Sequence, residues 1–188
     1  MILASQSPRR RELLSLITED FRIIPAKGEE ILPEKITPEN AVLTLSEQKA
    51  DEIFAGNKGE IIVAADTIVA IDGKILGKPR DEEDAFSMLL TLSGRVHEVF
   101  TGVCVIFPNG GKERFFEETK VEFYPLSDSE IAEYIKTGEP MDKAGAYGVQ
   151  SLGALLVERI DGDFYNVMGL PVEKLGQCLT KHFGVRFF

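Results

Sequence analysis

Cysteine is scarce: the 188-residue chain has two, Cys104 and Cys178, and neither sits in a Cys-x-x-Cys pair. No metal-binding spacing and no disulfide framework follow from them, and reduced, buried thiols in a cytoplasmic protein are expected. Long apolar runs are missing too. None approaches the ~20 residues that a membrane-spanning helix needs. The N-terminus passes from apolar to basic, the reverse of a secretory signal, so no leader is expected. Positive charge is in deficit, with a net charge of -10, which argues against a general nucleic-acid binder and against docking on anionic membranes. Several nucleotide and hydrolase signatures are absent as well. Gly73 and Gly77 enclose three residues rather than the four of a Walker A loop, and Pro79 follows Lys78 where Ser or Thr is required. There is no G-x-G-x-x-G, no H-E-x-x-H and no Ser-His-Asp order.

What remains is an ordinary globular composition, 44% hydrophobic and 28% charged. It suits a single domain over residues 1–188, with any two lobes sharing one sheet because no linker divides the chain. The pattern is mixed α/β. "MILAS" reads as a strand running into a helix capped by Ser7, with Pro8 at its first position and Leu13, Leu14 and Ile17 on its apolar side. "FRIIPA" reads as a strand, and Thr37-Pro38 opens a helix to about Phe54. "GEIIVAADTIVAI" is a long apolar strand, Asp72-Gly73 a hairpin turn, and Asp81 to Leu92 a helix. Two strands joined by "PNGG" follow, then a Ser127/Glu130 capping box. "GEPMDKAGAYGVQSLG" reads as a Gly-rich loop, "ALLVERI" as a strand, "DGDFYNVMGLP" as a loop, and Pro171 opens the last helix.

Within this frame a few residues break local rules. "ASQSPRRREL", residues 4–13, puts Arg9, Arg10 and Arg11 on the positive pole of a helix, where acidic residues are expected. Either they are solvated, or a strand, a Ser-rich turn and a basic helix start together cradle an anion such as phosphate. Asp66 interrupts a strand that otherwise reads as buried, and an ionised carboxylate there needs a partner or a metal. Lys49 shares the apolar stripe of its helix with Leu45 and Ile53, so its stem packs and its ammonium either snorkels to water or points into a pocket. Pro79 pushes Lys78 toward an extended conformation. The glycines around "DKAGAYG" let backbone approach a ligand, and Gln150 offers an amide that can read a base edge. Glu30 is an isolated carboxylate in "KGEE", and His97 reads as a structural histidine. Carboxylates with scattered cations and a phosphate-friendly helix start suit metal-assisted hydrolysis of a phosphate anhydride.

Taken together, "LASQSPRRRELL", "AADTIVAIDGKILGKPRDEEDAFSMLLTLSGRVHEVFTGV", "EPMDKAGAYGVQ" and "VMGLP" resemble the Maf family of nucleotide pyrophosphatases, in the family's order and over nearly the whole chain. The resemblance implies a Maf/Ham1-type fold, an elongated mixed sheet flanked by helices, with two lobes and a central cleft. It also implies hydrolysis of nucleoside triphosphates to the monophosphate and pyrophosphate with a divalent metal, Mg²⁺ or Mn²⁺, and a homodimer. By the resemblance Asp66 is the catalytic acidic residue and a metal ligand, and Glu30 the second metal-associated carboxylate. Lys49 and Lys78 join Asp66 in the catalytic set, and Ser5 and Arg10 line the phosphate site with them. Arg9, Thr67 and Gln150 set base preference. The "DKAGAYG" form with Gln150 resembles the dTTP/UTP branch rather than the 7-methyl-GTP branch, with one departure: Ser151 stands where that branch has Gly. Two alternatives stay open, a pyrophosphatase for 7-methyl-GTP or another modified nucleotide, and a nucleotide-sensing regulator of septum formation.

Overall fold

Helices begin where the caps place them. Ser7 Oγ accepts from the Arg10 amide at the start of α1 (Pro8–Ser15), and Thr37 Oγ1 from the Asn40 amide at the start of α2 (Pro38–Gly56). Asp81 caps α3 (Glu82–Leu92), and the Ser127/Glu130 box is closed in both directions at α4 (Asp128–Lys136). The computed structural model describes residues 1–183, so positions 184–188 of the expected domain lie outside the described residues.

The strands are β1 (Ile2–Leu3), β2 (Arg22–Ile23), β3 (Ile62–Ile71), β4 (Lys74–Leu76), β5 (Val96–Ile106), β6 (Lys112–Phe123) and β7 (Val157–Asp161). They form a mixed sheet in the order β2-β1-β3-β5-β6-β7, with β4 paired to β3. β1 runs parallel to both β2 and β3, whereas β4 is antiparallel to β3 and β7 to β6. The β3–β4 turn has Asp72 at φ 51° and Gly73 at φ 73°, the left-handed pair that a two-residue hairpin demands. A short helix, α5 (Phe164–Met168), and a longer one, α6 (Val172–Phe183), close the described chain.

Three expectations are corrected. The "GEPMDKAGAYGVQSLG" loop contains 3-10 turns at Glu139–Asp142 and Ala144–Ala146, and the one at Leu152–Leu156 delays the expected "ALLVERI" strand to Val157. "DGDFYNVMGLP" holds α5, because Asp163 Oδ1 accepts from the Tyr165 amide at 2.8 Å and caps a helix that two flanking glycines hide from pattern reading. "FRIIPA" pairs only at Arg22–Ile23, with the Arg22 and Ile24 amides donating to the Met1 and Leu3 carbonyls, because its partner β1 itself ends at Leu3.

The chain divides into two compact units. The first takes Met1–Asp66, Thr101–Glu117 and the chain from Gly169; the second takes Thr67–Phe100 and Glu118–Met168. In the first, Ile2 and Ala4, Ile62 and Ala64 of β3, and Cys104 and Ile106 of β5 pack with Ala50 and Ile53 of α2 into one core cluster. The period-2 alternation of a strand then places Asp66 on the same face of β3 as Ile62 and Ala64. α2 lies close enough that a Cβ at Gly102 of β5 would meet the Val42 carbonyl atoms at 2.5 Å. Gly102→Ala is therefore expected to destabilise the protein by about 3 kcal/mol through overpacking, a fall of roughly 6–12 °C in Tm, read by thermal denaturation. Both cysteines are buried and unpaired, as expected. Burial pushes the Cys104 thiol up to about 12 and the Cys178 thiol up to about 11. Among the described residues no helix is long and apolar enough to cross a membrane.

Candidate active site

The first unit gathers six of the expected site residues, Ser5, Arg9, Arg10, Glu30, Lys49 and Asp66. Asp66, 9% exposed, sits midway along the buried strand β3 and accepts a short hydrogen bond from Lys49 Nζ. Lys49 reaches it because residues 45, 49 and 53 of α2 lie on one helical stripe, so the ammonium is carried toward the face of β3 that holds Asp66. The same Nζ lies 2.8 Å from Glu30 Oε1. One cation thus draws together two carboxylates, Asp66 nearly buried and Glu30 half exposed.

Two residues that sequence reading missed hold Glu30 in place. Glu52 accepts from the Lys27 amide at 2.8 Å and the Gly28 amide at 2.9 Å, and those bonds hold its carboxyl below the ordinary range. Gln48 accepts from the Ile31 amide at 3.2 Å and donates to the Ile31 carbonyl at 2.7 Å. Gln48 and Glu52 stand four residues apart on α2, flanking Lys49. That spacing was the available signal, but only the fold brings residues 27–31 to them. A side chain at Gly28 would press on the Glu52 carboxylate, with its Cβ at 2.8 Å.

The arginine-rich helix start belongs to the same unit. Arg10 Nε donates to the Gly169 carbonyl at 2.8 Å, and its Nη1 donates to Ser5 Oγ at 3.4 Å. Buried Ser5 also accepts from the Ser7 amide at 3.2 Å. Burial lowers the Arg10 pKa, the charges of Asp66 and Glu30 oppose that shift, and Arg9 adds to it. Arg9 and Arg10 are half-buried and Arg11 is exposed, with no acidic residue in the first turn. A helix start, a buried hydroxyl and two guanidiniums form an anion-attracting group. Asp66 and Glu30 offer oxygen ligands only, which suits a hard divalent cation completed by phosphate oxygens.

The second unit contains Thr67, Lys78 and Gln150. Thr67 is half-buried on β3, while Lys78 and Gln150 are exposed. The Gly145 amide donates to the Gly77 carbonyl at 3.0 Å, which ties the segment before Lys78 to the "DKAGAYG" loop. Gly145 has φ 69°, and a Cβ there would sit 2.9 Å from Val69, so both conformation and space demand glycine. Glu139, unremarked beyond its motif, clips the loop that carries Gln150. It accepts from Tyr134 Oη at 2.9 Å and from the Leu152 and Gly153 amides at 3.1 Å each. Burial raises its carboxyl, but the Gly153 amide, the Ser151 and Tyr134 hydroxyls and the Leu152 amide outweigh it and leave it below the ordinary range.

His97 is structural, as its place in a strand suggested: it is fully buried, with Nε2 2.8 Å from Tyr147 Oη and its ring edge-on to Phe123. Burial pushes it down to about 4. Above pH 6.5 it is neutral folded or unfolded. As the pH falls from 6.5 toward 4, only the unfolded chain takes up the proton. Stability is therefore expected to drop across that window by on the order of 3 kcal/mol. Urea melts between pH 7 and pH 4.5 check this, and His97→Gln should flatten the slope.

A family model described as Maf-like protein matches residues 1–182. A protein of Bacillus velezensis named dTTP/UTP pyrophosphatase is 52% identical over 186 residues, covering 99% of this chain and 97% of its own. A protein of the same name from Carboxydothermus hydrogenoformans is 55% identical over 174 residues, covering 92% and 93%. The solved structure of a HAM1 protein from Coxiella burnetii matches with a TM-score of 0.56 at 17% identity, covering 96% of this chain and 98% of that one. That likeness shows a shared fold.

Proposed function

Because this chain belongs to the Maf family, we propose that it is a nucleoside triphosphate pyrophosphatase, an enzyme that hydrolyses dTTP and UTP to the monophosphate and pyrophosphate. The relatives' shared name supports the substrates. The observation that carries the chemistry is the Glu30–Lys49–Asp66 array in one unit with Ser5 and Arg10. Asp66 accepts the proton of the water that attacks the α-phosphorus, and pyrophosphate leaves. Lys49, Lys78 and Arg10 stabilise the charge that builds on the leaving group, and Ser5 donates to a phosphate oxygen. Mg²⁺ or Mn²⁺ would be held by Asp66 and Glu30, where it would neutralise phosphate charge.

Arg9, Thr67 and Gln150 read the base in this proposal. Ser151 leaves that reading intact, because its hydroxyl is engaged by Glu139. The enzyme is cytoplasmic, acts as a homodimer, and uses neither nucleic acid nor membrane as a partner. The single domain spans 1–188, as two lobes.

The test is pyrophosphate release from dTTP, UTP, CTP, ATP, GTP and 7-methyl-GTP, with Mg²⁺, with Mn²⁺ and with chelator. Metal-dependent release fastest from dTTP and UTP is expected. Fastest release from 7-methyl-GTP would overturn the base assignment, and binding without release would favour the sensing role.

A further inference from the structure

The geometry points to a second metal site in the first unit, separate in residues and in chemistry from Asp66 and Glu30: Glu113, Cys178 and His182 bind one borderline transition-metal ion, Zn²⁺ or a close analogue. Their ligand atoms, one carboxylate oxygen, one thiol sulfur and one imidazole nitrogen, all lie within 4.8 Å of one another. The arrangement comes from both elements. Cys178 and His182 stand four residues apart, one turn along α6, so both project from the same helical face. Glu113 comes from β6, and its Oε2 contacts His182 Nε2 and lies 3.5 Å from Lys181 Nζ. The Phe107 ring lies against the His182 imidazole, with centroids 4.3 Å apart, and limits the orientations open to it.

Donor chemistry separates this site from the catalytic one. Two carboxylates with phosphate oxygens suit a hard ion such as Mg²⁺. Sulfur, nitrogen and oxygen together select Zn²⁺, Co²⁺ or a similar ion and discriminate against Mg²⁺. Three protein ligands leave a fourth tetrahedral position to water. Binding displaces the Cys178 thiol proton to solvent. The proton shared by His182 Nε2 and Glu113 Oε2 leaves that bond, to His182 Nδ1 or to solvent, so that both atoms can ligate, and exposed Lys181 turns away from Glu113 to water. The ion then ties α6 to β6.

The experiment titrates metal-free protein with Co²⁺ and follows its absorption. A saturable one-equivalent signal is expected, with a near-ultraviolet thiolate-to-cobalt band and visible bands of four-coordinate cobalt. Zn²⁺ should displace the Co²⁺ and excess Mg²⁺ should not. Cys178→Ser should abolish the thiolate band. His182→Gln, at an exposed position, should weaken Co²⁺ binding by more than ~100-fold, beyond the loss expected for an outer-shell partner, with a circular-dichroism melt as the check on folding. Asp66→Asn should retain the full signal. The proposal is overturned if wild type gives no thiolate band, if the band survives Cys178→Ser, if His182→Gln binds as tightly as wild type, or if Asp66→Asn loses the signal.

Discussion

Asp66→Asn is expected to lower kcat for dTTP by about 10³-fold, within the range that general-base removal produces, while KM stays within a few-fold. The substitution keeps size and shape and leaves an oxygen able to accept from Lys49, so the buried corner of β3 keeps its packing. What it removes is the negative charge, and with it the proton acceptor and one oxygen ligand for the catalytic cation. The expected fold is unchanged because Lys49 keeps its 2.8 Å partner Glu30. Steady-state kinetics with a circular-dichroism melt separate the two effects. A folded Asp66→Asn enzyme with near-wild-type kcat would remove Asp66 from the chemistry.

Lys49→Met carries the second large effect, and it concerns stability as well as rate. Lys49 and Asp66 side chains are only 19% and 12% exposed, and one ammonium neutralises both Asp66 and Glu30. Taking that charge away leaves a carboxylate in a nearly dry place, at an expected loss of about 2–3 kcal/mol. It also leaves two carboxylates facing a vacant cation position. Saturating Mn²⁺ should therefore raise the melting temperature of Lys49→Met more than that of wild type, by mass action on the folded state alone. Activity should not recover with stability, since the ammonium is also assigned to the leaving group. Melts with Mn²⁺ and with chelator check this. A variant as stable as wild type in chelator and unresponsive to Mn²⁺ would show that Lys49 does not hold the carboxylates together.

How much could be read in advance follows from the range of each interaction. Ser7-Pro8, Thr37-Pro38, Asp81 and the Ser127/Glu130 box act over three residues, and each helix starts where its cap stands. Asp72-Gly73 is equally local. Asp66 was legible as an anomaly because a carboxylate in a buried strand demands a partner, and the strand's period fixed the face on which that partner had to be. The supports were hidden because they act at a distance. Glu52 grips the Lys27 amide 25 residues away, and Glu139 grips the Gly153 amide 14 residues away through a chain folded into 3-10 turns. Side chains of ordinary helix and loop type give no local sign of such bonds. In the Glu113, Cys178 and His182 group only the four-residue spacing of Cys178 and His182 is local; Glu113 was hidden for the same reason, since a strand residue meets a helix 65 positions further on only through the packing of α6.

The most direct test of the central claim is hydrolysis of dTTP in H₂¹⁸O with mass spectrometry of both products. Attack of water on the α-phosphorus predicts one ¹⁸O in dTMP and none in pyrophosphate. Label in the pyrophosphate, or release of orthophosphate in its place, would contradict the account.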